Sequence, residues 1–195
     1  MVEKYGSNLN LRMLVASALL SALLFTSAGI YFLPRIISMV AQRKLTSVTQ
    51  ITNEGKAPLN QISHTHRLAT ADDHVIVRPN NDTFYSSAWL DLSKGPLVVH
   101  VPTMGDRYYS LQFMDAWTNA FAYIGTRATG STEGVFVVVG PSWSGNLPNG
   151  MKIIYAPTNT VWIIGRTMVY GKDDITNVVK LQEKITLTPL ISAKS

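Results

Sequence analysis

VIVRPNNDTFYSSAWLDL, residues 75–92, is the stretch on which the fold turns. Its β-branched, aromatic and aliphatic residues read as strand. Yet Arg78, Asn80, Asn81, Asp82 and Tyr85 crowd into the same run. A plain strand needs alternation, and a plain surface loop needs turn residues; neither needs that cluster. GDRYYSLQFMDAWTNAFAYIGTR (105–127) and PTNTVWIIGRT (157–167) mix strand and polar residues in the same way. The three segments mark where polar chemistry sits without assigning a reaction to it.

Working outward from them, short β-type runs recur at the spacing of an all-β domain. Strands are expected near His74–Val77, Thr83–Asp91, Leu97–Val101, Tyr108–Asp115, Ala120–Gly125, Val135–Val139, Met151–Tyr155 and Val161–Val169. Turn chemistry separates them at 93–96, 104–106, 129–132 and 144–150. Connections this short favour antiparallel pairing, so the expected fold is mainly β, an antiparallel β-sandwich or jelly-roll-like domain. One helix is predicted near the C-terminus, Asp173–Ile185, with Asp173 and Asp174 placed to cap its first turn. Gly165, inside a strand run, predicts a bulge or a close backbone contact.

The N-terminus carries a different signal. Met13–Leu33 is a run of 21 residues without a charged side chain. As a helix it is about 31 Å long, the thickness of a bilayer's hydrocarbon core. A cleaved signal peptide has a shorter apolar region, so the run is read as a single-pass transmembrane helix and the bilayer as its partner. Lys4 and Arg12 precede it, and Arg35, Arg43 and Lys44 follow it. Charge therefore sets almost no orientation, and the expectation of an extracytoplasmic C-terminal domain rests on the shortness of the leading tail. Ile36, Ile37, Val40, Leu45 and Val48 continue at helical spacing, and Pro34 either kinks one helix or starts a second. The expected organisation is a tail and anchor at 1–33, a juxtamembrane helix at 34–50, a β domain at 51–190 and a tail at 191–195.

Composition narrows the function classes. In 195 residues, 46% hydrophobic and 15% charged content exclude a disordered chain. With no cysteine there is no disulfide or thiolate chemistry. The net charge of +5 is spread without a basic block, so no nucleic-acid partner is expected. A GxSxG elbow, a phosphate-cradling glycine loop and HExxH are all missing, and no cofactor is expected.

In order and spacing, the segments at 75–102, 105–130 and 157–167 and LQEKITLTPL (181–190) resemble the family called domain of unknown function 1254. GKAPLNQISHTH (55–66) is similar to that family's opening segment, and the likeness runs from about Ile30 to Leu190. The resemblance implies a β-rich sandwich-like domain and brings no established reaction. Members of the family commonly continue into a second domain, of unknown function 1214, and this sequence stops at Ser195.

The candidate ligand-binding residues are Arg78, Asn80, Asn81, Asp82, Tyr85, Arg107, Asp115, Trp117, Asn119 and Arg127. Together they could hold an acidic group on an arginine, between aromatic walls, with a carboxylate for proton transfer. A network of Arg–Asp pairs and capped turns bracing strand ends is the plainer role and the preferred one. In that role Arg78 is expected to pair with Asp82 or Asp115. Asn81–Thr83 is also a glycosylation sequon, inside a strand-opening motif. For a metal, the weak candidates are His64, His66 and His74, with Asp72 and Asp73 nearby, at a spacing that matches no zinc pattern; no metal is expected.

These readings lead to a membrane-anchored, extracytoplasmic binding or interaction domain, an accessory subunit of a larger membrane complex, with other subunits or further copies of the chain as partners. The alternative is an enzyme acting on a small acidic or carbohydrate-like molecule in a pocket lined by Arg78, Asp82, Tyr85 and Asp115.

Overall fold

The computed structural model describes residues 3–52, 54–70, 80–145 and 151–190, with side chains described from residue 11 onward. A single helix, α1 (Glu3–Thr46), leads into the β domain, and Pro34 sits inside it rather than at a break. Its most apolar window has a mean hydropathy of 2.0 and is wholly unburied, so the helix is long and apolar enough to cross a membrane. Past Pro34, Ser38 is buried while Ile37, Met39 and Val40 beside it are exposed. One side of the helix therefore lies against the domain there. At its end the Leu45 carbonyl accepts the Ala57 N–H at 3.2 Å.

Among the described residues nine strands follow: β1 (Ile62–His64), β2 (Thr83–Asp91), β3 (Leu97–Val101), β4 (Tyr109–Met114), β5 (Ala120–Gly125), β6 (Gly134–Val139), β7 (Lys152–Tyr155), β8 (Thr160–Met168) and β9 (Thr186–Pro189). A short helix, α2 (Ile175–Gln182), precedes the last of them. The strands form a five-stranded sheet in the order β1-β2-β8-β4-β5 and a four-stranded sheet in the order β7-β6-β3-β9.

The period of two in the sequence becomes two faces. Ala88 lies opposite Ile163 and Leu90 opposite Val161, and all four are buried in the inter-sheet core. Leu111, Phe113 and Ile124 join them from the same sheet, and Leu97, Val99, Val101, Phe136 and Val138 close the core from the other. Each such side chain contributes about 1.5–3 kcal/mol on leaving water. This is a sandwich core, as the alternation predicts. A smaller cluster, Phe84, Val169 and Val178, seats α2 at one end.

Four details differ from the sequence reading. β6 and β7 pair in parallel, because the twelve residues between Val139 and Lys152 are long enough for a crossover. β1 and β9 emerge from segments without a visible strand pattern. The C-terminal helix is only Ile175–Gln182, behind a 3-10 turn at Lys172–Asp174, and no aspartate side chain caps it. Gly165 makes no bulge: a Cβ there would meet Leu111 Cδ2 at 2.7 Å and Ser86 Cβ at 2.9 Å, so glycine leaves room for both neighbours. The irregularity lies instead between Phe113 and Met114. The strand expected at His74–Val77 lies outside the described residues.

Candidate functional site

The outer face of the five-stranded sheet carries the other half of each strand's alternation. Tyr85 is the cross-strand partner of Arg166, Arg166 that of Ser110, and Gln112 that of both Ile164 and Tyr123. Ser110, Gln112, Tyr123, Ile164 and Arg166 line a hollow of about 380 Å³ together with Tyr108, Arg127 and Ala128. Tyr85 flanks it, its ring centroid 5.7 Å from the Arg166 guanidinium carbon. Arg127 and Arg166 are both exposed, and neither has a carboxylate partner among the described residues. No carboxylate lines the hollow among the described residues. It is a cationic, tyrosine-walled depression with amide and hydroxyl groups on its floor.

The turn that positions Arg127 is built locally. The Gly125 carbonyl accepts the N–H groups of Ala128, Thr129 and Gly130 at 3.0, 2.8 and 3.2 Å. Thr126 Oγ1 accepts the Tyr109 N–H at 3.1 Å, and the Tyr109 hydroxyl donates to the Gly130 carbonyl at 3.1 Å. Burial raises the pKa of that phenol, which keeps it a donor.

The expected site residues separate into groups. Tyr85 and Arg127 come to the hollow. Asp115 does not: its buried carboxylate accepts the N–H groups of Trp117 and Asn119 at 2.8 and 2.9 Å and the Asn119 side chain at 3.2 Å. It closes its own turn. Arg107 is spent on Asp174, Nη1 to Oδ2 at 2.6 Å and Nη2 to Oδ1 at 2.7 Å, and on the Met168 carbonyl at 2.6 Å. That pair holds the Asp174 carboxyl down at about 2. Asn80 Oδ1 accepts the Asp82 N–H at 3.3 Å, while the Tyr85 hydroxyl accepts the Asn80 N–H at 3.1 Å. Asn81 and Asp82 are exposed. Thr83 pairs with Met168 and Met114 with Trp162, so Asp82 and Asp115 stand at opposite ends of β8 and share no pocket. Arg78 lies outside the described residues. Trp117 and Asn119 face α1 instead, where Trp117 lies 5.0 Å from Tyr31, ring centroid to ring centroid.

Sequence reasoning missed Arg166, Gln112, Ser110, Tyr123 and Ile164. The signal was present in PTNTVWIIGRT, where Trp162, Ile164 and Arg166 alternate onto one face.

A second polar cluster lies on the inner side. His64 Nδ1 is 2.8 Å from Ser86 Oγ, and Gln182 Nε2 donates to Ser86 Oγ and the Tyr85 carbonyl at 3.2 Å each. Burial, with His66 nearby, lowers the His64 pKa to about 4, so the ring is neutral at physiological pH. These contacts tie β1 and β2 to the end of α2 and describe an interior anchor. His66 Nε2 is buried without a partner among the described residues. There, no group of three or more metal-ligating side chains gathers, and Asp72, Asp73 and His74 lie outside them.

Residues 59–189 match the model of the family described as a protein of unknown function (DUF1254). No curated protein matches the chain. Among solved structures, the VPA0106 protein from Vibrio parahaemolyticus is similar at 25% identity and a TM-score of 0.63, over 82% of this chain and 36% of that one. The chain thus spans little more than a third of that relative. An uncharacterized protein from Burkholderia cenocepacia matches at 15% identity and a TM-score of 0.40, over 56% of this chain and 31% of its own.

Proposed function

We propose, from the premise that this chain belongs to the DUF1254 family, that it is a membrane-anchored domain binding a small anionic molecule on the outer face of its five-stranded sheet. The observation that carries this reading is the pair Arg127 and Arg166, both unpaired with carboxylate among the described residues, above one hollow of about 380 Å³. Exposed guanidinium groups beside a concave surface attract carboxylate or phosphate, and a planar fork can hold either by two bonds. Tyr108, Tyr123 and Ile164 offer flat apolar surface, and Ser110 and Gln112 offer neutral hydrogen bonds. An anion with an aromatic or short aliphatic body suits that lining. With no carboxylate in the lining among the described residues, the hollow favours binding over proton-transfer chemistry.

The tethering half of the reading rests on α1, whose apolar stretch is unburied. The proposed orientation puts the β domain outside the cytoplasm. Because the chain has no cysteine, a single one introduced at the exposed Tyr155 reports on orientation. An impermeant thiol reagent added to intact cells should label it; labelling only after lysis would reverse the orientation.

Binding is tested on the detergent-solubilised protein with benzoate, succinate and inorganic phosphate as probes. At least one should raise Tm saturably, by the several degrees that about 2–3 kcal/mol of linkage brings at high occupancy. Arg127→Ala with Arg166→Ala should remove the rise and leave the unliganded Tm unchanged. A rise that survives the double substitution, or none with any probe, would sink this site.

A further inference from the structure

The turn between β4 and β5 touches α1 at a telling height. Trp117 stands at its tip, its ring centroid 5.0 Å from that of Tyr31, and Phe32 meets Tyr31 edge-on at 4.9 Å. Tyr31 and Phe32 lie at the end of the charge-free run Met13–Leu33, where a spanning helix leaves the hydrocarbon. Tryptophan and tyrosine collect at that level because an apolar ring there can keep its polar edge in the headgroups. The groove between helix and turn is lined by Ser27, Ile30, Tyr31, Trp117 and Asn119, without a charged group among the described residues. Ile30, Tyr31 and Phe32 are 73%, 63% and 52% exposed, so the described residues leave most of their apolar surface uncovered.

The turn itself suits such a place. From Met114 to Gly125 the only ionisable carboxylate is Asp115, and its oxygens accept hydrogen bonds from residues 117 and 119 rather than facing outward. Thr158 Oγ1 accepts the Ala116 N–H at 3.0 Å and fixes the turn to the neighbouring loop. Trp117, Thr118 and Asn119 are thereby presented on a rigid tip.

We infer that the Asp115–Asn119 turn is a second membrane contact: it sets Trp117 into the bilayer interface beside Tyr31 and seats the acyl chain of a bilayer lipid in the groove. The contact rests on the reading of α1 as an anchor. It also orients the domain, since β5 runs from Ala120 near the bilayer to Gly125, about 16–17 Å further along the strand. The Arg127–Arg166 hollow then opens toward water rather than lipid.

The test uses the full chain in phosphatidylcholine vesicles, with and without bromine on the acyl chains. A protein whose only tryptophan is Trp117 (Trp89, Trp143 and Trp162 each →Phe) should lose at least about half its emission in brominated vesicles, as an interfacial indole does. A protein keeping only Trp162 should lose far less. Since those substitutions touch the stacked Trp89–Trp162 pair, a spin label on Thr118→Cys with all tryptophans retained gives a second readout. It should be reached better by oxygen than by a water-soluble nickel complex. Unquenched Trp117, or a water-like label at Thr118→Cys, in protein that resists carbonate extraction would overturn the contact alone. Extraction by carbonate would instead overturn the anchor, and the contact with it.

Discussion

Arg107 grips Asp174 with two parallel hydrogen bonds, 2.6 and 2.7 Å long, across 67 residues of sequence. The same guanidinium donates to the Met168 carbonyl and lies 4.8 Å from the centre of the Tyr170 ring. The loop before β4, the end of β8 and the approach to α2 therefore meet on one cation. Both side chains keep only 11% and 14% of their exposure, which makes the pair worth more than a surface bridge.

Arg107→Ala should destabilise the domain by roughly 2 kcal/mol, below the ~3–5 of a fully buried pair because some water reaches both groups. Denaturant titration of the detergent-solubilised protein measures it. A change under about 0.5 kcal/mol, the range of ordinary surface substitutions, would show that the clamp is ornamental.

What the sequence makes legible follows from how local each feature is. β2 and β3 fall where the alternation puts them, because one buried face imposes period two on five or more residues. β1 and β9 have three and four residues, too few for a period to emerge, and both lie at sheet edges. The helical run before Thr46 is legible as well, since no sheet could accommodate so long an apolar stretch. The site was legible only in part. Tyr85 and Arg127 announce themselves as polar groups in strand country, but their partner Arg166 becomes visible only once the register of β2 and β8 is known. Asp115 and Arg107 take the bracing role that the sequence reading prefers, Asp115 by closing its own turn and Arg107 through a partner 67 residues away that only the fold reveals.

Acid should release the clamp from the other side. The hydrogen bonds from Arg107 hold the Asp174 carboxyl at about 2, below its ordinary 3.8. A carboxyl with a depressed folded pKa adds stability above its unfolded value, and that stability fades as pH falls toward the folded one. Unfolding free energy measured from pH 5 to pH 2 should therefore fall more steeply in the native protein than in Asp174→Asn. Equal slopes would remove Asp174 from the acid response.

Between pH 6.5 and 4 a different group takes over. His64 is buried against Ser86, and its pKa is lowered to about 4. Unfolding frees it to bind a proton near pH 6.5, so its contribution is complete above that value and drains away as pH falls to 4, by up to roughly 3 kcal/mol. His100 works in the opposite sense: its bond to Glu133 raises its pKa, so its contribution is held at low pH and lost as pH rises. His64→Gln should flatten the decline between pH 6.5 and 4, whereas His100→Gln should alter the slope only above pH 6.5, where it removes a loss of stability on raising the pH. If both variants track the native curve over both ranges, neither imidazole governs stability.

Gly125 joins the fold to the hollow. A Cβ built on it would come within 2.5 Å of the Tyr109 carbonyl oxygen and 2.8 Å of Ser110 Cα, and both obstacles are backbone. Nothing flexible can yield, so Gly125→Ala must push β5 away from β4 or distort the turn that begins there. Overpacking of this kind costs about 1–3 kcal/mol. The damage should also reach Arg127, because three N–H groups of the turn that carries it converge on the Gly125 carbonyl. Gly125→Ala is therefore expected to lower Tm and to weaken anion binding together, whereas Arg127→Ala should weaken binding alone. Thermal melts with and without the anionic probe separate the two. A Gly125→Ala protein that melts normally would mean that the strands have slack at this contact, and the turn would lose its claim to position Arg127.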